Sequence, residues 1–180
     1  MAANPVVEAY ANYLAATANL LRAINQEKVY RIISGKKLWV PSAEVFTAQN
    51  LNWEDVQDTS ETEINSFPTA RLIRTAGDSK VYFIIDNGFK KWIRTAEIFN
   101  SYSGNRWEDI VDVDSEIVES FQGVELMRLI GGVKVYKLEG NTKRWIRTAE
   151  AFSRYNFNWN KIISMNQLEL DYYVEGEGIK

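Results

Sequence analysis

Three evenly spaced tryptophans, Trp39, Trp92 and Trp145, are the residues of this sequence best placed by type to hold a ligand. Each has cations beside it: Lys37, Lys91 and Arg144 before the rings, Arg94 and Arg147 after them. An indole face stacks on apolar ring surfaces such as those of sugars, and a row of cations attracts an anionic polymer. The competing reading is that each ring packs beneath the helix that follows. Other chemistry is thin. With 0 Cys and 0 His, the chain lacks thiol nucleophiles, disulfides, Ser-His-Asp triads and the usual zinc and haem ligands. The run Asp109-x-x-Asp112-x-Asp114-x-Glu116 has carboxylates for calcium but lacks the glycine of an EF-hand loop. No carboxylate pair is singled out by spacing, and no glycine-rich phosphate loop is present. The expectation is a non-enzyme with no metal and no cofactor.

The elements that must position these residues recur three times. Val29-Tyr30, Val81-Tyr82 and Val135-Tyr136 each follow a lysine: Lys28, Lys80 and Lys134. The tryptophan comes about ten residues later, then Ala-Glu-x-Phe at Ala43, Ala96 and Ala149. A second tryptophan follows at Trp53, Trp107 and Trp159, three residues before Val56, Ile110 and Ile162; these rings read as packing residues. Glu63-Ile64, Glu116-Ile117 and Glu169-Leu170 close each copy.

One copy reads as a β-hairpin, a helix, a short strand and a short helix. In the second copy, Val81 to Ile85 is β-branched and aromatic, as strands prefer. Asn87-Gly88 suits a tight primed turn, and the segment from Lys90 to Arg94 returns. Thr95 caps a helix with Glu97 in its first turn, and Ser42 and Thr148 do the same elsewhere. The predicted fold class is therefore α+β, with copies at residues 20–71, 72–125 and 126–177. Residues 178–180 start a fourth unit or act as a closing strand. Residues 1–19, with Asn4-Pro5 as helix start and apolar residues at helical spacing, are expected to form a capping helix. That helix conflicts at its end with the strand expected at Leu20 to Arg22.

The chain has 180 residues, enough for a core, and 46% of them are hydrophobic. Its net charge of −3 argues against a nucleic-acid partner, and no run is long and apolar enough for a membrane span. Each hairpin is basic, and the later half of each copy is more acidic. This segregation fits a solvated mixed surface, an anionic glycan, or basic-to-acidic contact between units.

The pattern Lys80-Val81-Tyr82, Asn87-Gly88, Lys91-Trp92-Ile93, Thr95-Ala96-Glu97-x-Phe99 and Trp107 resembles short tandem repeats of bacterial secreted and cell-surface proteins. The likeness runs from Leu20 to Lys180; the first copy departs from it with Leu38-Trp39-Val40-Pro41-Ser42. The resemblance implies an extracellular or cell-surface, non-catalytic module. Its expected partner is a polysaccharide of the cell wall or a surface protein, engaged through the hairpin tryptophans and cations. The alternative is a structural subunit that forms a homo-oligomer through the N-terminal helix or an open strand edge.

Overall fold

Leu20 and Leu21 are both buried but point to opposite faces of one strand, so the sheet that contains them is covered on both sides. In the computed structural model, which describes residues 20–86 and 88–180, this strand is β1 (Leu20–Ala23). The N-terminal helix expected before it, and Asn87 of the predicted hairpin turn, lie outside the described residues.

Three sheets are present. The first holds β1, β2 (Val29–Ile33), β3 (Lys36–Val40) and β4 (Val56–Thr59), in the order β3-β2-β1-β4. The second holds β5 (Leu72–Thr75), β6 (Val81–Ile85), β7 (Phe89–Ile93), β8 (Ile110–Val113) and β9 (Gln122–Gly123), in the order β8-β5-β6-β7-β9. The third holds β10 (Leu126–Leu129), β11 (Val135–Glu139), β12 (Thr142–Ile146), β13 (Ile162–Met165) and β14 (Val174–Glu175), in the order β13-β10-β11-β12-β14. Six short helices connect them among the described residues: α1 (Ala43–Ala48), α2 (Glu61–Ser66), α3 (Ala96–Asn100), α4 (Ser115–Ser120), α5 (Ala149–Arg154) and α6 (Gln167–Tyr172). The fold is α+β.

In each sheet the first two strands pair antiparallel, whereas β4, β8 and β13 pair in parallel with β1, β5 and β10. That parallel pairing is not visible in the spacing of the residues. It requires a crossover, and the crossover carries a helix. Phe46 of α1 joins Leu20, Val29 and Val40 on one face of the first sheet, and Ile64 and Phe67 join Leu21, Ala23 and Ile32 on the other. The third sheet does the same, with Ala151 and Phe152 of α5 on one face and Leu170 of α6 on the other. Ser42, Thr95 and Thr148 accept hydrogen bonds from the N–H groups of Val45, Ile98 and Ala151, at 3.2, 3.2 and 3.1 Å, which fixes where the first helices begin.

The described residues divide into two compact units, one formed by residues up to 92 with 106–122 and the other by 93–105 with 123–180. In the first, Leu38 of β3 is 1% exposed and sits in the core of the second sheet, among Ile73, Ile84, Val111, Ile117 and Phe121. In the second, Ile179 is 2% exposed, bridges Ile146 in parallel, and packs with Phe152.

One alignment made by sequence shifts by a residue. The caps of α2, α4 and α6 are Ser60, Asp114 and Asn166, so the third helical position holds Glu63, Ile117 and Glu169. Ile117, not Glu116, corresponds to the two glutamates. The second copy has seven residues between Phe99 and Trp107, where the others have six between phenylalanine and tryptophan, so its later elements lie one position further along.

Leu38→Ala is expected to destabilise the first unit by about 2–5 kcal/mol, the range for an emptied leucine site. Urea unfolding should show the loss; a change well under about 1 kcal/mol, the usual effect of a surface substitution, would contradict the packing of Leu38 into the second sheet.

Candidate functional site

The hairpin residues proposed from sequence are internally engaged, and most of them are half-buried. The Lys28 ammonium lies 5.1 Å from the Trp39 ring centre, Lys80 5.4 Å from Trp92, and Lys134 4.4 Å from Trp145. The same cation–π contact thus covers all three rings. Trp145 packs against the cluster of Met127, Tyr136 and Leu170 on the α6 face, and the Arg147 guanidinium is 5.5 Å from its ring.

Two residues before each tryptophan stands a lysine that closes the end of a helix. Lys37 donates to the Ile64 carbonyl at 3.1 Å and to Asn65 Oδ1 at 2.9 Å. Lys90 donates to the Val118 carbonyl at 2.5 Å, and Lys143 to that of Leu170 at 2.7 Å. A helix of six residues leaves its last carbonyls without backbone partners, and a lysine there also suits the negative end of the dipole. Burial pushes the Lys37 and Lys90 ammonium groups below their usual range. The equivalent set is therefore Lys37, Lys90 and Lys143, whereas Lys91 and Arg144 occupy the position of Leu38. Lys91 is 7% exposed. Arg144 donates to the Glu177 carbonyl at 2.9 Å and pairs with Glu139 at 3.2 Å. Arg94 donates to the Gly140 carbonyl at 2.8 Å and lies over Tyr173. Arg147 is the exposed member of the group.

The second tryptophan series is different. Trp53, Trp107 and Trp159 are 55%, 51% and 59% exposed, although sequence reasoning made them packing residues. Two of them pack with one ring face on a buried phenylalanine. Trp53 stacks on the buried Phe46 with ring centres 4.0 Å apart and planes at 12°; Trp159 stacks on Phe152 at 3.9 Å and 20°. Each opens a 3-10 turn: Trp53–Asp55, Trp107–Asp109 or Trp159–Lys161.

The local sequence explains this presentation. Asn50 and Asn156 follow the first helices with φ of 52° and 55°, a left-handed conformation that asparagine tolerates better than most residues. The N–H groups of Leu51 and Phe157 then donate to the carbonyls of Phe46 and Phe152, at 3.2 and 3.1 Å, drawing the chain back over the helix. The Asn52 and Asn158 side chains accept from the N–H groups of Glu54 and Asn160 and start the turn. Asn-x-Asn-Trp is the signal that sequence inspection passed over.

Residues on either side of Trp53 in sequence help line a cleft of ≈ 450 Å³, formed by Leu20, Arg31, Asn50, Leu51, Asn52, Glu54, Asp55 and Gln57. It offers carboxylates, amides and a guanidinium. At the third turn, Tyr155 is also exposed and stacks on Phe157 at 5.7 Å and 11°.

The acidic run considered for calcium is dispersed into ion pairs. Asp109 meets Lys36 at 2.9 Å and Arg106 at 2.7 Å, and Asp112 meets Arg74 at 2.8 Å. Among the described residues, no group of three or more acidic side chains is arranged to hold a metal, and no helix is long and apolar enough to cross a membrane. Comparison of the chain with protein-family models, curated proteins and solved structures finds no match.

The hydrogen bonds from Arg106 and Lys36 lower the Asp109 carboxyl to about 2. Because the folded value is depressed, its contribution is complete above the unfolded value of about 3.9 and is lost as pH falls toward about 2. Thermal unfolding followed from pH ~5 to ~2 should lose part of this acid dependence in Asp109→Asn. An unchanged slope would refute the pairing.

Proposed function

We propose that the chain is a non-catalytic tandem-repeat module that binds neutral or weakly charged glycans outside the cell. Its three contact points are the exposed tryptophans Trp53, Trp107 and Trp159. One observation carries the reading: an indole more than half open to solvent recurs at the same place in every copy. At Trp53 and Trp159 the covered face lies flat on a buried phenylalanine, which holds the ring rigid. A rigid aromatic face loses little entropy when a pyranose ring stacks on it, and the polar cleft lined by Asn52 and Glu54, the sequence neighbours of Trp53, supplies hydrogen bonds for hydroxyl groups. The expected extracellular setting and the polysaccharide partner belong to this proposal. So does the repeat architecture itself, with its hairpin–helix–strand–helix unit.

The hairpin tryptophans and cations then act as scaffold. Lysines over Trp39, Trp92 and Trp145, and lysines on the helix carbonyls, support this division of labour. Three weak sites gain avidity when one polymer reaches more than one of them.

Retention of the purified chain on insoluble cell walls and a panel of polysaccharides, at low and high salt, tests the proposal. Stacking predicts retention that changes little with salt. Trp53→Ala is expected to weaken it roughly 10-fold, and the triple Trp53→Ala, Trp107→Ala, Trp159→Ala variant to abolish it, with the fold checked by circular dichroism. Trp145→Phe should bind as the parent does. Retention that collapses with salt and survives the triple substitution would return the contact to the hairpin cations. Absence of retention on every polymer would overturn glycan binding.

A further inference from the structure

The residue three positions after the phenylalanine of each first helix has a different fate in each copy. Gln49 is 6% exposed, and its amide donates to Ser120 Oγ of α4 at 3.0 Å, within the first unit. Within the second unit, Tyr102 donates its hydroxyl to the Glu169 carboxylate of α6 and accepts the N–H of Asn166 at 3.1 Å. Asn166 Nδ2 also donates to Ser101 Oγ at 2.8 Å. The third residue of the series is Tyr155, which is 52% exposed and whose hydroxyl has no hydrogen-bond partner among the described residues.

The receiving helices form a matching series. Glu169, Ile117 and Glu63 share the third helical position. Tyrosine meets glutamate at one junction. At the other, glutamine meets serine and the glutamate position is apolar. Glu169 is fully buried beneath Tyr102, whereas Glu63 is half-exposed and, among the described residues, its carboxylate makes only a local contact, accepting from the Thr59 hydroxyl. Ser60 caps α2 as Asn166 caps α6. Among the described residues, one chain therefore carries a tyrosine without its glutamate and a glutamate without its tyrosine, in the positions that pair elsewhere in the same molecule. The charges agree as well: Arg154 precedes Tyr155, where Ser101 precedes Tyr102, and α2 carries Glu61 beside Glu63.

We propose that a second copy of this chain docks head to tail, the Tyr155 hydroxyl of one molecule on the Glu63 carboxylate of the next, repeating the contact between Tyr102 and Glu169. The contact joins two different surfaces, so it leaves one of each free and leads to open chains or rings rather than closed dimers. It does not depend on glycan binding.

Sedimentation velocity of the full chain, up to about 1 mM, tests the proposal, because even a weak contact populates assemblies there. The parent is expected to assemble with concentration. Tyr155→Ala and Glu63→Ala should each weaken association roughly 10-fold or more, with unchanged circular dichroism and thermal midpoint, and Tyr155→Phe should weaken it less. An equimolar mixture of Tyr155→Ala and Glu63→Ala retains one good surface on each chain and should stop at dimers. A parent that stays monomeric throughout, or assembles equally well with both substitutions, overturns the proposal. Assembly that requires residues 1–18 but ignores Tyr155 overturns it too, in favour of the N-terminal segment.

Discussion

Helices of five or six residues do not hold together in water, because nucleation costs more than so few hydrogen bonds return. All six described helices are of this length, so each exists only where a sheet receives its apolar side. Phe46, Ile64, Phe152 and Leu170 are the side chains through which helices reach the sheets, and they are nearly or fully buried. Full burial of one such side chain is worth about 1.5–3 kcal/mol, a large part of what keeps so short a helix formed. The alternation of Leu20 with Leu21, and of Leu126 with Met127, follows from the same need, since both faces of a sheet must be apolar if helices cover both.

The polar residues answer to that constraint. Short helices expose a high proportion of unpaired backbone groups, and side chains close both ends: Ser42, Thr95 and Thr148 at the starts of first helices, Lys37, Lys90 and Lys143 at the ends of second ones. Cations so engaged are poorly suited to a polymer in solution. The basic character of the hairpins is therefore better explained by what the fold requires of them than by a ligand. The tryptophan turns stand outside this demand. Phe46 and Phe152 need only one covering ring face, and the opposite face of Trp53 or Trp159 stacks on no other ring among the described residues.

Local signals were legible from the residues. Strand composition, hydroxyl caps and the three-fold spacing locate the hairpins and first helices, and the strand at Leu20 prevails over a helix running through it. Non-local pairing was not legible. Nothing in Val56 to Thr59 announces a parallel partner 36 residues away, such as Arg22 opposite Asp58. The two tryptophan series were assigned opposite roles because burial of a ring depends on what lies across from it. On β3, Trp39 sits under Lys28 and beside Lys37, an arrangement set by strand register. Trp53 is left open because Asn50 turns the chain left-handed, a signal carried by one residue in a loop.

Binding and assembly, as proposed, do not compete for the same surface. The evidence is internal to the molecule. At Gln49 and Tyr102 the position three after the helix phenylalanine is already engaged with a following helix, yet Trp53 and Trp107, only four and five residues further on, remain more than half exposed. Engagement at that position thus leaves the neighbouring turn open. If Tyr155 is engaged in the same way, Trp159 keeps its free face for the same geometric reason. Every added copy then contributes tryptophan faces without hiding those already present, and an assembly of weak sites gains avidity with its length.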